Sequence, residues 1–106
     1  GEAHRERARV APRAQAQVDA RRAELAAFDV DVAALHAALA SADGATLLRC
    51  ASYALARRED LAYRRERCEY ELIDDEETLA EAQRVLDDAV QRWNAAIRQR
   101  TLVAKT

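Results

Sequence analysis

From Leu47 to about Val103 the chain runs without Gly or Pro, and apolar residues recur at alternating gaps of three and four. Leu47, Ala51, Ala54, Leu61, Cys68, Leu72, Leu79, Ala82, Leu86, Ala89, Trp93, Ala96 and Val103 fall on one line, the a/d seam of a heptad repeat. Arg58, Arg65, Asp75 and Arg100 are the polar residues on that line. About 57 uninterrupted residues predict a single helix roughly 85 Å long at 1.5 Å per residue. A helix of this kind cannot bury its own seam, so its role lies in what it packs against.

Composition agrees with long helices joined through a narrow seam. Half of the 106 residues are apolar, mostly through Ala, and only five are aromatic, whereas a compact globule needs more large side chains. Arg outnumbers Lys sixteen to one, which with the Ala excess points to a GC-rich, bacterial coding sequence. The 17 basic and 19 acidic side chains are interspersed and leave a formal charge of −2, too little to steer the whole chain onto nucleic acid or an anionic membrane. No apolar run reaches the 18 or so residues of a spanning helix, and the start has no signal-peptide core. The chain is therefore expected to be cytoplasmic. Cys50 and Cys68 are about 27 Å apart along one helix and cannot bridge each other, as in a reducing compartment.

The first eleven residues, GEAHRERARVA, have no convincing apolar face and are expected to be frayed or kinked away at Pro12. Gly1 reads as the scar of a cleaved tag, so the chain is expected to be a piece of a longer one. Helix one is expected over 12–41, with Ala14, Val18, Leu25, Phe28, Val32, Leu35, Leu39 and Ala42 in the three-four rhythm, broken only at Arg21. Ser41-Ala42-Asp43-Gly44-Ala45-Thr46 is the sole turn signal. Gly44 there can take the left-handed conformation that closes a helix, and Thr46 or Asp43 can cap the next. Helix two is expected over 47–103. So short a connection forces the helices to lie antiparallel, which predicts an all-α fold: a two-helix coiled-coil hairpin whose second helix is the longer.

A turn at 41–46 makes facing residue numbers add to about 86 or 87. Leu39 then meets Leu48, Val32 meets Leu55, Leu25 meets Leu61, Val18 meets Cys68 and Ala14 meets Leu72. The same arithmetic leaves everything after Leu86 overhanging, with Ala89, Val90, Trp93, Ile97, Leu102 and Val103 as an apolar stripe that has no intrachain cover. A missing N-terminal extension, another copy of this chain or a different protein could fill it, and a homo-oligomer formed through the apolar seam is expected. Leu86, Trp93, Ile97 and Val103 are the expected partner-binding residues, with Trp93 the strongest anchor.

No feature supplies a chemistry. Two glycines cannot build a phosphate loop. His36 can approach Cys50 or Ser52 across the hairpin, but no third ligand or orienting group converges there. Asp74-Asp75-Glu76-Glu77 point in four directions along a helix and form no cage for a cation. The arginines of 57–67 are interleaved with Glu59, Asp60, Glu66, Glu69 and Glu71, unlike a phosphate-binding surface. The expectation is no catalytic residue, no metal, no cofactor, no small-molecule substrate, no nucleic acid and no membrane insertion. The seam residues Arg21, Arg58 and Arg65 are expected to restrict register and oligomeric state while covering apolar neighbours with their stems.

Three stretches, ELAAFDVDVAALHAAL, the turn SADGAT, and LARREDLAYRRERCEYELIDDEETLAEAQRVLDDAVQRWNAAIRQR, carry a resemblance. Together they resemble the FliJ/YscO-type central-stalk family of type III secretion and flagellar export ATPases, with Hrp relatives in plant pathogens. The resemblance implies a non-enzymatic stalk or adaptor. Its paired terminal ends would enter a hexameric export ATPase, other surface would meet the export gate, and the protein would sit peripheral to the inner membrane through that apparatus. This chain departs from the family in the shortness of its first helix, about twenty residues less than the second. An alternative is a general oligomerisation or scaffolding module that makes four-helix bundles from two hairpins through the seam; a nucleic-acid-associated hairpin is a third.

Overall fold

The computed structural model describes residues 2–105, and their side chains over 12–104. It contains α1 (Glu2–Ser41) and α2 (Gly44–Lys105), and no strand among the described residues. The fold is the expected all-α helical hairpin, its second helix longer than its first.

Only Ala42 and Asp43 separate the helices. Asp43 is the N-cap of α2: its Oδ1 accepts the Thr46 N–H at 2.7 Å and its carbonyl accepts the Leu47 N–H at 3.0 Å. One side chain thus satisfies a donor that the first helical turn leaves open. Thr46 does not cap, and Gly44 is not left-handed, since no described glycine has a positive φ. Gly44 is the first residue of α2, and a Cβ added there would meet nothing within 4 Å. At the end of α1 the Ser41 hydroxyl donates to the Ala38 carbonyl at 3.2 Å, which satisfies one acceptor that the last turn leaves open.

α1 also begins earlier than Pro12, which lies inside it. Pro12 removes one backbone donor and crowds the carbonyl four residues before it. Helix-favouring Ala, Arg and Glu over residues 2–11 nevertheless carry the helix through. α2 likewise extends two or three residues past the expected 47–103 at each end.

By contact the chain divides into two compact units, Asp19–Ile73 and the remainder, formed by the chain up to Val18 with the chain from Asp74 onward. In the first, Phe28, Leu61 and Cys68 form a buried cluster, with Leu25, Val32 and Leu35 half-buried against it. Cys68 Sγ donates to the Arg21 carbonyl at 3.7 Å. Cross-helix contacts therefore join residues whose numbers add to between 89 (Arg21 with Cys68) and 94 (Asp29 with Arg65), above the 86 or 87 that the turn alone predicts. Leu48 and Leu55 are exposed, at 84% and 56%, so the expected Leu39–Leu48 and Val32–Leu55 layers do not form. A two-residue connection ties the helix ends together, and packed axes must then separate to 8–10 Å. The first buried layer on α2 accordingly falls at Ala54, past Leu47 and Ala51. Phe28, the largest knob, seats where the small Cys68 lies one heptad from Leu61.

The same register settles the polar seam positions. Arg21 is half-buried between Glu24 at 3.0 Å and Glu71 at 2.5 Å, and Arg65 reaches Asp29 across the hairpin at 2.6 Å as well as Glu69 on its own helix. Each cross-helix pair satisfies an arginine that an apolar seam would otherwise strand. Arg58 instead points to solvent, and Arg57 occupies the half-buried position. Arg64 lies over the Phe28 ring, 5.3 Å from its centroid, and closes one side of the cluster.

The second unit has Leu86 buried at 5% exposure, with Leu79, Ala82, Ala89 and Val90 half-buried. There the covered seam of α2 ends.

Candidate docking surface

From Gln91 to Ala104 every residue of α2 is exposed. Within that stretch Trp93 is 53%, Ile97 45%, Leu102 60% and Val103 64% exposed. Exposure starts four residues later than the expected overhang, since Ala89 and Val90 are partly covered. Of the expected partner-binding residues, Trp93, Ile97 and Val103 lie on the exposed stretch, whereas Leu86 is taken up in the core of its own unit and presents no surface.

The exposed stretch continues the covered seam without a change of phase. Large residues fall at Leu79, Leu86, Trp93 and Arg100, and alanines between them at Ala82, Ala89 and Ala96. An alternation of this kind lets a neighbouring helix approach closely at the alanines and interlock at the large side chains. Ile97 stands beside Trp93 on the same face, one turn on.

Electrostatics changes at Asp88, the last acidic residue of the chain. Beyond it come Arg92, Arg98, Arg100 and Lys105 and no Asp or Glu. Several arginines elsewhere are neutralised locally: Arg57 and Arg64 share Asp60, Arg67 meets Glu71 and Arg84 meets Glu81, which holds the Arg84 guanidinium above its ordinary range through the bond and the charge together; among the described residues Arg13, Arg49 and Arg58 have no such pair. Among the described residues Arg98 and Arg100 have no such carboxylate, and Arg92 bonds only the Asp88 carbonyl, at 3.4 Å. Arg100 was expected on the seam as a polar residue; Arg98, and the lack of a carboxylate beside either, are what the reading for apolar anchors missed. The signal was present in the sequence, as a run of acid-free residues after Asp88.

The other candidates remain apart. His36, Cys50 and Ser52 are all exposed, and no hydrogen bond joins them among the described residues. Cys68 sits at the floor of a cleft of about 180 Å³ lined by Glu24, Phe28, Arg64, Arg67 and Glu71. Burial pushes its thiol above the ordinary range and the nearby Glu24 carboxylate adds to the shift, which leaves it protonated and a poor nucleophile at neutral pH. No group of three or more His, Cys, Asp or Glu among the described residues could hold a metal ion. No helix among them is long and apolar enough to cross a membrane. Comparison with protein-family models, curated proteins and solved structures gave no match.

Proposed function

We propose that the protein is a non-enzymatic stalk or adaptor of a bacterial type III secretion apparatus, and that it docks on the hexameric export ATPase or its partners through the end of α2. What supports this reading is the exposed seam from Trp93 onward: a helix that keeps its packing pattern after its intrachain cover has ended is built to meet another surface. Trp93 is its anchor, because a large aromatic at the centre of a docking patch loses more on truncation than any neighbour. Addition of the protein to its cognate export ATPase is expected to raise ATP turnover several-fold, and Trp93→Ala to abolish the effect while the helical circular dichroism and melting temperature stay unchanged. No stimulation, or stimulation that survives Trp93→Ala, would contradict the reading.

A general oligomerisation module is the second reading. It draws on a different exposed patch, Leu48, Tyr53 and Leu55 near the turn, at 84%, 72% and 56% exposure. Size-exclusion with light scattering decides it: a strict monomer at micromolar concentration removes a four-helix bundle of two hairpins.

A further inference from the structure

We infer that the occupant of the exposed seam is a helix of another protein that carries acidic residues along the edges of its own apolar stripe. The inference rests on the part of the reading above that makes the end of α2 a docking surface, and adds the chemistry of what docks.

Three observations narrow the occupant. The first is shape. The Trp93, Ala96, Arg100 line repeats, at the same phase, the Leu79, Ala82, Leu86 line that is covered within the chain. A seam that alternates large residues with alanine fits the knobs and holes of one more helix. A bilayer would reward large apolar residues at every position of the stripe and would penalise Arg100 within it.

The second is charge. The exposed stretch has no acidic residue, and Arg98 and Arg100 lack the carboxylate partners that arginines such as Arg21, Arg65 and Arg84 have. Arg100 sits on the seam itself, where a facing Glu or Asp would satisfy it just as Glu71 satisfies Arg21. Uncompensated charge on both the stripe and its border selects a partner of opposite sign.

The third observation weighs against a second copy. Two such ends laid parallel set Arg92, Arg98 and Arg100 against the same residues, and an antiparallel pairing about Trp93 gives Arg98 a carboxylate in Asp88 but leaves Arg100 facing Leu86. The acidic part of α2, Asp74 to Asp88, could offer the opposite sign, but the apolar line it carries, Leu79 to Leu86, is already covered in its own unit.

Trp93 is the only tryptophan, so its emission reports occupancy of the seam directly. The probe is a synthetic three-heptad peptide with Leu at a, Ala at d and Glu at e and g, compared with a twin that carries Lys at e and g. The Glu peptide is expected to shift Trp93 emission to the blue in a saturable titration that weakens with added salt. The Lys peptide is expected to leave it unchanged. Arg98→Glu with Arg100→Glu, both on exposed positions and checked for unchanged helicity, is expected to reduce binding of the Glu peptide at least tenfold and to admit the Lys peptide.

Equal binding of both peptides, or of neither, would overturn the inference. So would a blue shift produced by vesicles of phosphatidylcholine with phosphatidylglycerol but not by the Glu peptide, which would make the occupant a membrane surface. A blue shift that grows with protein concentration alone would make it a second copy. If ATPase stimulation fails while the Glu peptide binds, the secretion reading falls and the acidic-helix inference stands. If stimulation depends on Trp93 but the Glu peptide does not bind, the reverse holds.

Discussion

Asp43 joins the helices and starts the second, and the hydrogen bond from the Thr46 N–H holds its carboxyl below the usual carboxylate range. A lowered carboxyl contributes stability above its unfolded pKa and loses that contribution as the pH falls through the folded value. Asp43→Ala is expected to lower the melting temperature by about a few degrees at neutral pH, the ordinary effect of a lost N-cap. Asp43→Asn should retain the cap and melt near wild type at pH 7, but lose less stability than wild type on acidification. Thermal melts of the three proteins between pH 7 and pH 3 check both. Gly44→Ala is expected to stabilise by roughly 0.4–1 kcal/mol, because the position is helical, open, and needs no positive φ. Loss of stability there would mean that Gly44 is strained. The cysteines divide by accessibility: Cys50 is exposed and should react with a disulfide reagent at once, whereas Cys68 is buried and should react only on unfolding. Because burial raises the Cys68 thiol, its protonated form belongs to the folded state, and the stability tied to it is lost as the pH rises through that raised value.

At the scale of the helices, the seam of α1 was legible residue by residue. Among the described residues Ala14, Val18, Arg21, Leu25, Phe28, Val32, Leu35 and Leu39 are the covered positions of that helix, with Ala42 covered just past its end, because they keep heptad spacing, while Val30, off that line, is exposed. The register was not legible, because a turn motif locates a connection without saying how far the axes must part before side chains meet. Nor was the start of α1, where Pro12 was weighed above the helix-favouring residues around it. Leu48 separates the two registers, and Leu61, covered in both, is the reference. Leu61, 1% exposed, is expected to cost roughly 2–5 kcal/mol on truncation to Ala, and Leu48, 84% exposed, to cost within about 0.5 kcal/mol. Similar losses at both, read from urea melts, would restore the register that the turn alone predicts.

At the scale of the whole chain, the account reduces to a difference between two parts of α2: a stretch covered as far as Val90 and a stretch beyond it whose side chains meet solvent. The position of that boundary could be approximated from two helices of unequal length, and the missing acid after Asp88 could be counted. Leu86, expected as a partner-binding residue, is buried at 5% exposure, at the last position before the overhang that the turn arithmetic predicts. Amide hydrogen exchange along α2 tests the division most directly, since a lone helical stretch of about fifteen residues is marginal in water and opens readily. Strong protection from Ala54 to Val90 with a sharp fall from Gln91 onward is the expected profile for the protein alone at low concentration. Protection that continues undiminished to Ala104 would contradict it, because the end of the helix would then already be covered.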